Sequence, residues 1–124
     1  MMTDRKPLPD QLRRFDVVRA WVRYEDDKGR GKYRPIAVIR ISNDGEEGVG
    51  IKVTSNPTWT EEGDIHIEDW AEAGLDHLST ARCAQLVRFE TARLDGYYGH
   101  LSRNDIERLS QVITSLPPER FVWL

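Results

Sequence analysis

The run Ile36-Ala37-Val38-Ile39-Arg40-Ile41 constrains this chain more than any other stretch. It is rich in β-branched residues and reads as a buried strand. Pro35 stands in front of it, fixing its own φ and biasing Arg34 towards extended geometry. Earlier still comes Glu25-Asp26-Asp27-Lys28-Gly29-Arg30-Gly31, polar and glycine-bearing, which reads as a loop rather than a packed strand. Arg34 is therefore expected where a polar loop meets a rigid strand. Its guanidinium is anchored by the backbone and faces whatever the loop covers.

The rest of the chain supplies partners for that strand. Phe15 to Tyr24 alternates, and the parity of Asp16, Val18, Ala20, Val22 and Tyr24 is the more apolar, so it is expected to face the core. Asn43-Asp44-Gly45-Glu46-Glu47-Gly48 is a turn cluster, with Asp44-Gly45 as a hairpin turn pair. Val49 to Ser55 alternates again and is expected to run antiparallel to the Ile36 strand. That pairing places Arg34 and Thr54 at the outer ends of neighbouring strands.

Further along, Asp64 to Glu68 reads as a short strand with Ile65 and Ile67 inward and His66 outward. Asp69 to Gly74 reads as one helical turn closed by glycine. Thr80 to Glu90 and Tyr97 to Leu101 read as strands. Ser102-Arg103-Asn104-Asp105 fits a capping box, and Leu101, Ile106, Leu109, Val112, Ile113 and Leu116 form a helical apolar stripe that Pro117-Pro118 stops. The expected fold is mainly β (α+β): a small SH3-like barrel or strongly bent antiparallel sheet, with a short mid-chain helix and a longer C-terminal helix. One domain over 1–124 is expected, with 1–12 as a frayed lead-in and 117–124 as an apolar tail.

Composition narrows the function. The net charge of −3 argues against bulk, sequence-blind nucleic-acid binding, although Arg13 to Arg34 is locally basic. The single cysteine, Cys83, rules out an intramolecular disulfide. No apolar run approaches the ~20 residues of a membrane span, and the first ten residues lack the apolar core of a signal peptide. A cytoplasmic protein with no membrane association is expected. His66, His77 and His100 lack metal-ligand spacing, and neither standard glycine-rich phosphate loop is present, so no metal and no cofactor is expected.

Arg34 and Thr54 remain. An arginine is a poor base at neutral pH but a strong planar donor to phosphate oxygens. A threonine hydroxyl can donate to a non-bridging oxygen. Together they suit the anionic state formed when a ribose 2′-hydroxyl attacks its own phosphate, a reaction that needs no protein nucleophile. An ordinary solvated arginine and an ordinary strand threonine fit the residues as well.

At these residues the chain resembles the MazF/PemK toxins of bacterial toxin–antitoxin systems, from about Arg14 to Leu116. Phe15-Asp16-Val17-Val18 is similar to the family's opening strand, with phenylalanine in place of the usual glycine. Lys32-Tyr33-Arg34-Pro35-Ile36-Ala37-Val38-Ile39 resembles its arginine–proline strand motif, and Val53-Thr54-Ser55 its second catalytic position. Asp64-Ile65-His66-Ile67 resembles its short central strand. Ala73-Gly74-Leu75, Leu78-Ser79-Thr80 and Gln85-Leu86 follow the family order. Gly99-His100-Leu101-Ser102 resembles the segment that opens its last helix.

The resemblance implies an SH3-like barrel, a homodimer, and metal-independent endoribonuclease action on single-stranded RNA that inhibits translation and growth. It implies Arg34 and Thr54 as catalytic residues, with Lys32, Tyr33, Ser55, His66 and Ser79 contacting RNA. It implies a cognate antitoxin protein as partner. Two alternatives stand beside it. One is a CcdB-like toxin that binds gyrase through the Phe121 to Leu124 tail; the other is a barrel that binds RNA or a peptide without catalysis. Tyr24, Tyr33 and Trp59 are the aromatic residues available for base stacking.

Overall fold

The computed structural model describes residues 6–24, 27–55 and 61–116. Six antiparallel strands form one sheet: β1 (Asp16–Tyr24), β2 (Asp27–Ile41), β3 (Glu47–Thr54), β4 (Asp64–Ile67), β5 (Ser79–Glu90) and β6 (Tyr97–His100), in spatial order β4-β5-β3-β2-β1-β6. The sheet curls into a half-barrel, and helix α1 (Arg103–Ser115) closes the chain. This is the bent-sheet architecture expected from the sequence.

The β-branched run lies in the middle of this order. Ile36, Ala37 and Val38 are fully buried; Ile36 and Ala37 are paired on both edges, to β1 and to β3, and Val38 is paired to β3 and accepts from Phe15 N–H. Successive strand residues point to opposite faces, so β2 feeds two clusters. Ala37 and Ile39 join Val17, Ile51, Val53, Ile67, Ala81 and Cys83 on the face covered by Leu109 and its helical neighbours Ile106, Val112 and Ile113. Ile36 and Val38 join Val18, Ala20, Val22 and Phe89 on the other face. The expected inward parity of β1 is thus buried, but in the smaller cluster; Phe15 and Val17 supply the helix-covered core. A curled sheet has apolar packing on both sides, which an alternation rule assumes for one side only.

Two segments expected to be irregular are ordered. From Asp27 onward the polar stretch is part of β2, with Gly31 opposite Arg23, Lys32 opposite Val22 and Tyr33 opposite Trp21. Gly31, Lys32 and Tyr33 pair with β1 while Gly29, Arg30 and Lys32 stay exposed, so the polarity of these residues is no obstacle. Gly31 is required there, because a Cβ would run into the Val22 carbonyl. From Lys6 on, the lead-in is also held, by a Lys6–Tyr97 bridge and by Leu8 and Leu12 packing on the smaller cluster.

The short mid-chain helix expected at Asp69 to Gly74 is not a helix but a hydrogen-bonded turn. Ala73 N–H donates to the Asp69 carbonyl (3.2 Å), Gly74 N–H to Ala71 (3.0 Å) and Leu75 N–H to Trp70 (3.0 Å). The last two bonds are the pair that closes a helix C-terminus on a left-handed residue. Gly74 has φ +83, and a Cβ there would strike the Tyr98 carbonyl.

Candidate functional site

The β2–β3 register builds the site. Ile36 lies opposite Lys52 and Val38 opposite Gly50. The pairing ends at Ile36–Lys52; the same register, carried two residues further, would set position 34 level with position 54. Thr54 is opposite Thr80 on β5, and Thr80 is opposite His66 on β4. Residues directly opposite one another share a face. Arg34, Thr54, Thr80 and His66 therefore form a row across four strands, on the face turned away from α1.

Burial grades along this row. Arg34 is half-buried, with its Nε covered and without a hydrogen-bond partner among the described residues. Thr54 is 6% exposed and Thr80 1%. His66 is exposed, and its Nδ1 lies 3.2 Å from the Thr80 hydroxyl. The adjacent row, Lys52–Arg82–Asp64, is fixed by ion pairs from the buried Arg82 to Asp64 (3.2 Å) and Glu61 (2.9 Å). The Arg19 Nε is also covered and without a hydrogen bond, but an Asp95 carboxylate stands 3.3 Å away. Arg34, unlike Arg19, has the strand parity of the face that carries the polar row. A covered donor left unpaired costs about 1–3 kcal/mol, which an anion delivered to Arg34 would recover.

The other expected site residues divide. Lys32 is exposed and shares the parity of Arg34. Ser55 is exposed just beyond β3. Tyr33 points to the opposite face, where it meets Trp21 edge-on (centroids 5.2 Å, planes at 76°) and the Arg19 guanidinium stands 5.2 Å from its ring centre. Ser79 is not brought to the row. It is opposite Ile67 of the helix-covered core, and its hydroxyl donates to the His77 carbonyl at 2.9 Å. Trp59 and the Phe121 to Leu124 tail lie outside the described residues.

Thr80 and Arg82 are the site residues that the sequence reading missed. Their signal is present: in Thr80-Ala81-Arg82-Cys83 the polar and apolar residues alternate, so β5 turns a polar edge to one face. Cys83 is on the core side, and burial, then the charge of Asp64, pushes its thiol up to about 12. It stays protonated and takes no part in nucleophilic chemistry. Among the described residues no group of three or more His, Cys, Asp or Glu is placed to hold a metal ion. A cavity of about 950 Å³ lies elsewhere, lined by Trp21, Arg23, Tyr33, Arg88, Phe89 and Arg93 among others, and none of the four row residues borders it. No helix among the described residues is long and apolar enough to cross a membrane.

This curled sheet with a terminal helix is shared with solved toxin structures. The chain is similar to Mycobacterium tuberculosis toxin MazF-mt6, at 14% identity and TM-score 0.61, covering 86% of this chain and 95% of that one. It is similar to an endoribonuclease in complex with its cognate antitoxin from Mycobacterial species, at 15% identity and TM-score 0.61, covering 84% and 95%. At such identities the likeness is one of fold. No curated protein matches the sequence. The family model for the PemK-like, MazF-like toxin of type II toxin–antitoxin systems matches residues 13–116. The chain belongs to that family, as the motifs around Arg34 and Thr54 imply.

Proposed function

We infer that the protein is an endoribonuclease toxin that cleaves single-stranded RNA by attack of a ribose 2′-hydroxyl on the adjacent phosphate, without a metal ion. The observation that carries this reading is the covered Nε of Arg34, without a hydrogen-bond partner among the described residues, on the face away from α1 that Thr54 shares. Arg34 binds the scissile phosphate, and the Thr54 hydroxyl donates to the pentacoordinate intermediate. Lys32 and Ser55 hold flanking phosphates. Tyr33 gives a flanking base a stacking surface where the strand turns round the β1–β2 arm. Ser79 has no part in this reading. Products carry a 2′,3′-cyclic or 3′-phosphate and a 5′-hydroxyl.

The toxin acts as a single cytoplasmic domain, arrests growth by destroying mRNA, pairs as a homodimer, and is neutralised by a cognate antitoxin. The antitoxin is supported by the family and by the similar endoribonuclease, whose structure contains one.

The test is cleavage of a long single-stranded RNA in EDTA. Arg34→Ala and Thr54→Val each remove one preorganised donor, a loss of about 10²–10³ in rate. Arg34→Lys keeps the charge but not the planar fork, and is expected to recover only part of the activity. Cleavage abolished by EDTA, or an Arg34→Ala protein as active as wild type, overturns the reading.

A further inference from the structure

The Arg34–Thr54 pair stabilises charge but leaves one proton unassigned. The attacking 2′-hydroxyl must lose its proton. An arginine side chain is not deprotonated in proteins and so cannot take it. A threonine hydroxyl cannot take it either at neutral pH. Histidine is the side chain suited to that transfer.

We propose that His66 is the general base of this site and that Thr80 is the residue that positions it. The inference rests on the nuclease reading and adds a residue that the arginine–threonine chemistry does not supply.

The geometry argues for it in three ways. First, the register places Thr54, Thr80 and His66 on one row, with Arg34 at its other end. Neighbouring strands are about 4.8 Å apart, so Arg34 and His66 are separated by about 14 Å at the backbone. That is too far for mutual contact. It leaves room for a phosphodiester between two side chains extended towards each other over Thr54.

Second, the ring is oriented. Thr80 is 1% exposed, so its hydroxyl must find a partner within the protein. That partner is His66 Nδ1, at 3.2 Å. When Nδ1–H donates to the hydroxyl, the lone pair is on Nε2. The backbone beneath is held as well, because Arg108 of α1 donates to the His66 carbonyl at 2.7 Å.

Third, the ring is open to a ligand, since His66 is exposed while both threonines beside it on the row are covered. The charges around it are Asp64 and Glu68 on its own segment, Arg82 on β5, Lys52 on β3 and Arg108 on α1. Arg82 is clamped by Asp64 and Glu61, and Arg108 by Asp105 at 2.9 Å.

The step balances as follows. Nε2 takes the 2′-hydroxyl proton as the 2′-oxygen–phosphorus bond forms. The phosphorus–5′-oxygen bond breaks with its electron pair on the 5′-oxygen, which takes a proton from water. The imidazolium returns its proton to the hydroxide left behind.

The experiment compares wild type, His66→Gln, Thr80→Val, Thr80→Ser and Arg34→Ala on a short single-stranded RNA, with cleavage and binding measured separately. His66→Gln is expected to lose about 10²–10⁴ in kcat with RNA affinity within about threefold of wild type. Any fall of kcat towards acid pH that a histidine base imposes is expected to vanish in this variant. Thr80→Val should lose part of kcat and shift that acid limb, and Thr80→Ser should restore both. His66→Gln cleaving within about threefold of wild type with the limb retained overturns the proposal. So does a His66→Gln loss that lies wholly in RNA affinity. Wild type that cuts nothing removes the nuclease reading and this one together, whereas a dead Arg34→Ala beside an active His66→Gln removes only this one.

Discussion

Phe15 has φ +71, in the left-handed region that a residue with a Cβ enters at a cost of about 1–2 kcal/mol. Its carbonyl accepts from Leu101 N–H (3.1 Å), its N–H donates to Val38 (2.6 Å), and its ring is buried under the Arg14 guanidinium. A left-handed backbone that usually falls to glycine thus carries a phenylalanine whose ring fills the core. Glycine normally destabilises relative to alanine; here the order reverses. Phe15→Gly and Phe15→Ala both lose the ring, a loss of about 3–5 kcal/mol for a buried phenylalanine, but Phe15→Gly is expected to be the more stable by about 1 kcal/mol in urea unfolding. An alanine variant at least as stable as the glycine one contradicts the strain. Cys83 makes a second prediction. Its folded pKa of about 12 exceeds the ordinary 9.0, so the thiol contributes fully below pH 9 and that contribution fades as pH rises from 9 to 12. Denaturant melts should show wild type losing stability over that range at up to about 1.4 kcal/mol per pH unit more steeply than Cys83→Ala. The sequence displayed Arg34 because proline and a β-branched run surround it. It displayed Thr80 only as a small polar residue in an apolar strand, a signal that acquires meaning once Thr54 and His66 are known to flank it.

At the scale of elements, α1 was legible from its stripe and its cap, but the role of Asp105 was not. Ser102 accepts from Asp105 N–H at 3.1 Å, as a capping box requires. The Asp105 carboxylate, fully buried, accepts from the Ser102 hydroxyl of the cap (3.4 Å) and, more closely, from Glu68 N–H (3.0 Å), Asp69 N–H (2.9 Å) and Arg108 (2.9 Å). One carboxylate thereby ties the helix start to the end of β4, next to His66. Asp105→Ala strands two backbone donors, while Arg108 keeps the His66 carbonyl and Glu68 as partners. It is expected to cost about 2–6 kcal/mol, at about 1–3 for each stranded donor, and thermal melting of the variant checks it; a shift of only a degree or two would mean that the tie contributes little. No sequence rule reveals such a bond, because its partners are more than thirty residues away. The β1–β2 arm was obscured for the opposite reason: its composition is that of a loop, and only backbone pairing makes it a strand.

For the molecule as a whole, the curl of the sheet divides the labour. One face is filled by α1 and the main core; among the described residues there, Cys83 is kept as a thiol and Ser79 is tied to His77. The other face carries the second apolar cluster and, beyond it, the row from Arg34 to His66. Strand pairing was predictable from alternation and turn residues, so the meeting of positions 34 and 54 was too. The strand order β4-β5-β3, which brings His66 and Thr80 alongside, depends on a non-sequential pairing that local pattern does not encode. The central claim is that RNA supplies its own nucleophile and this face supplies only donors and a base. The most direct measurement uses a short RNA carrying a single 2′-deoxy nucleotide on the 5′ side of a mapped cut. The account predicts that this RNA binds as tightly as the unmodified one and is not cut at that position. Cleavage there at the unmodified rate would contradict it.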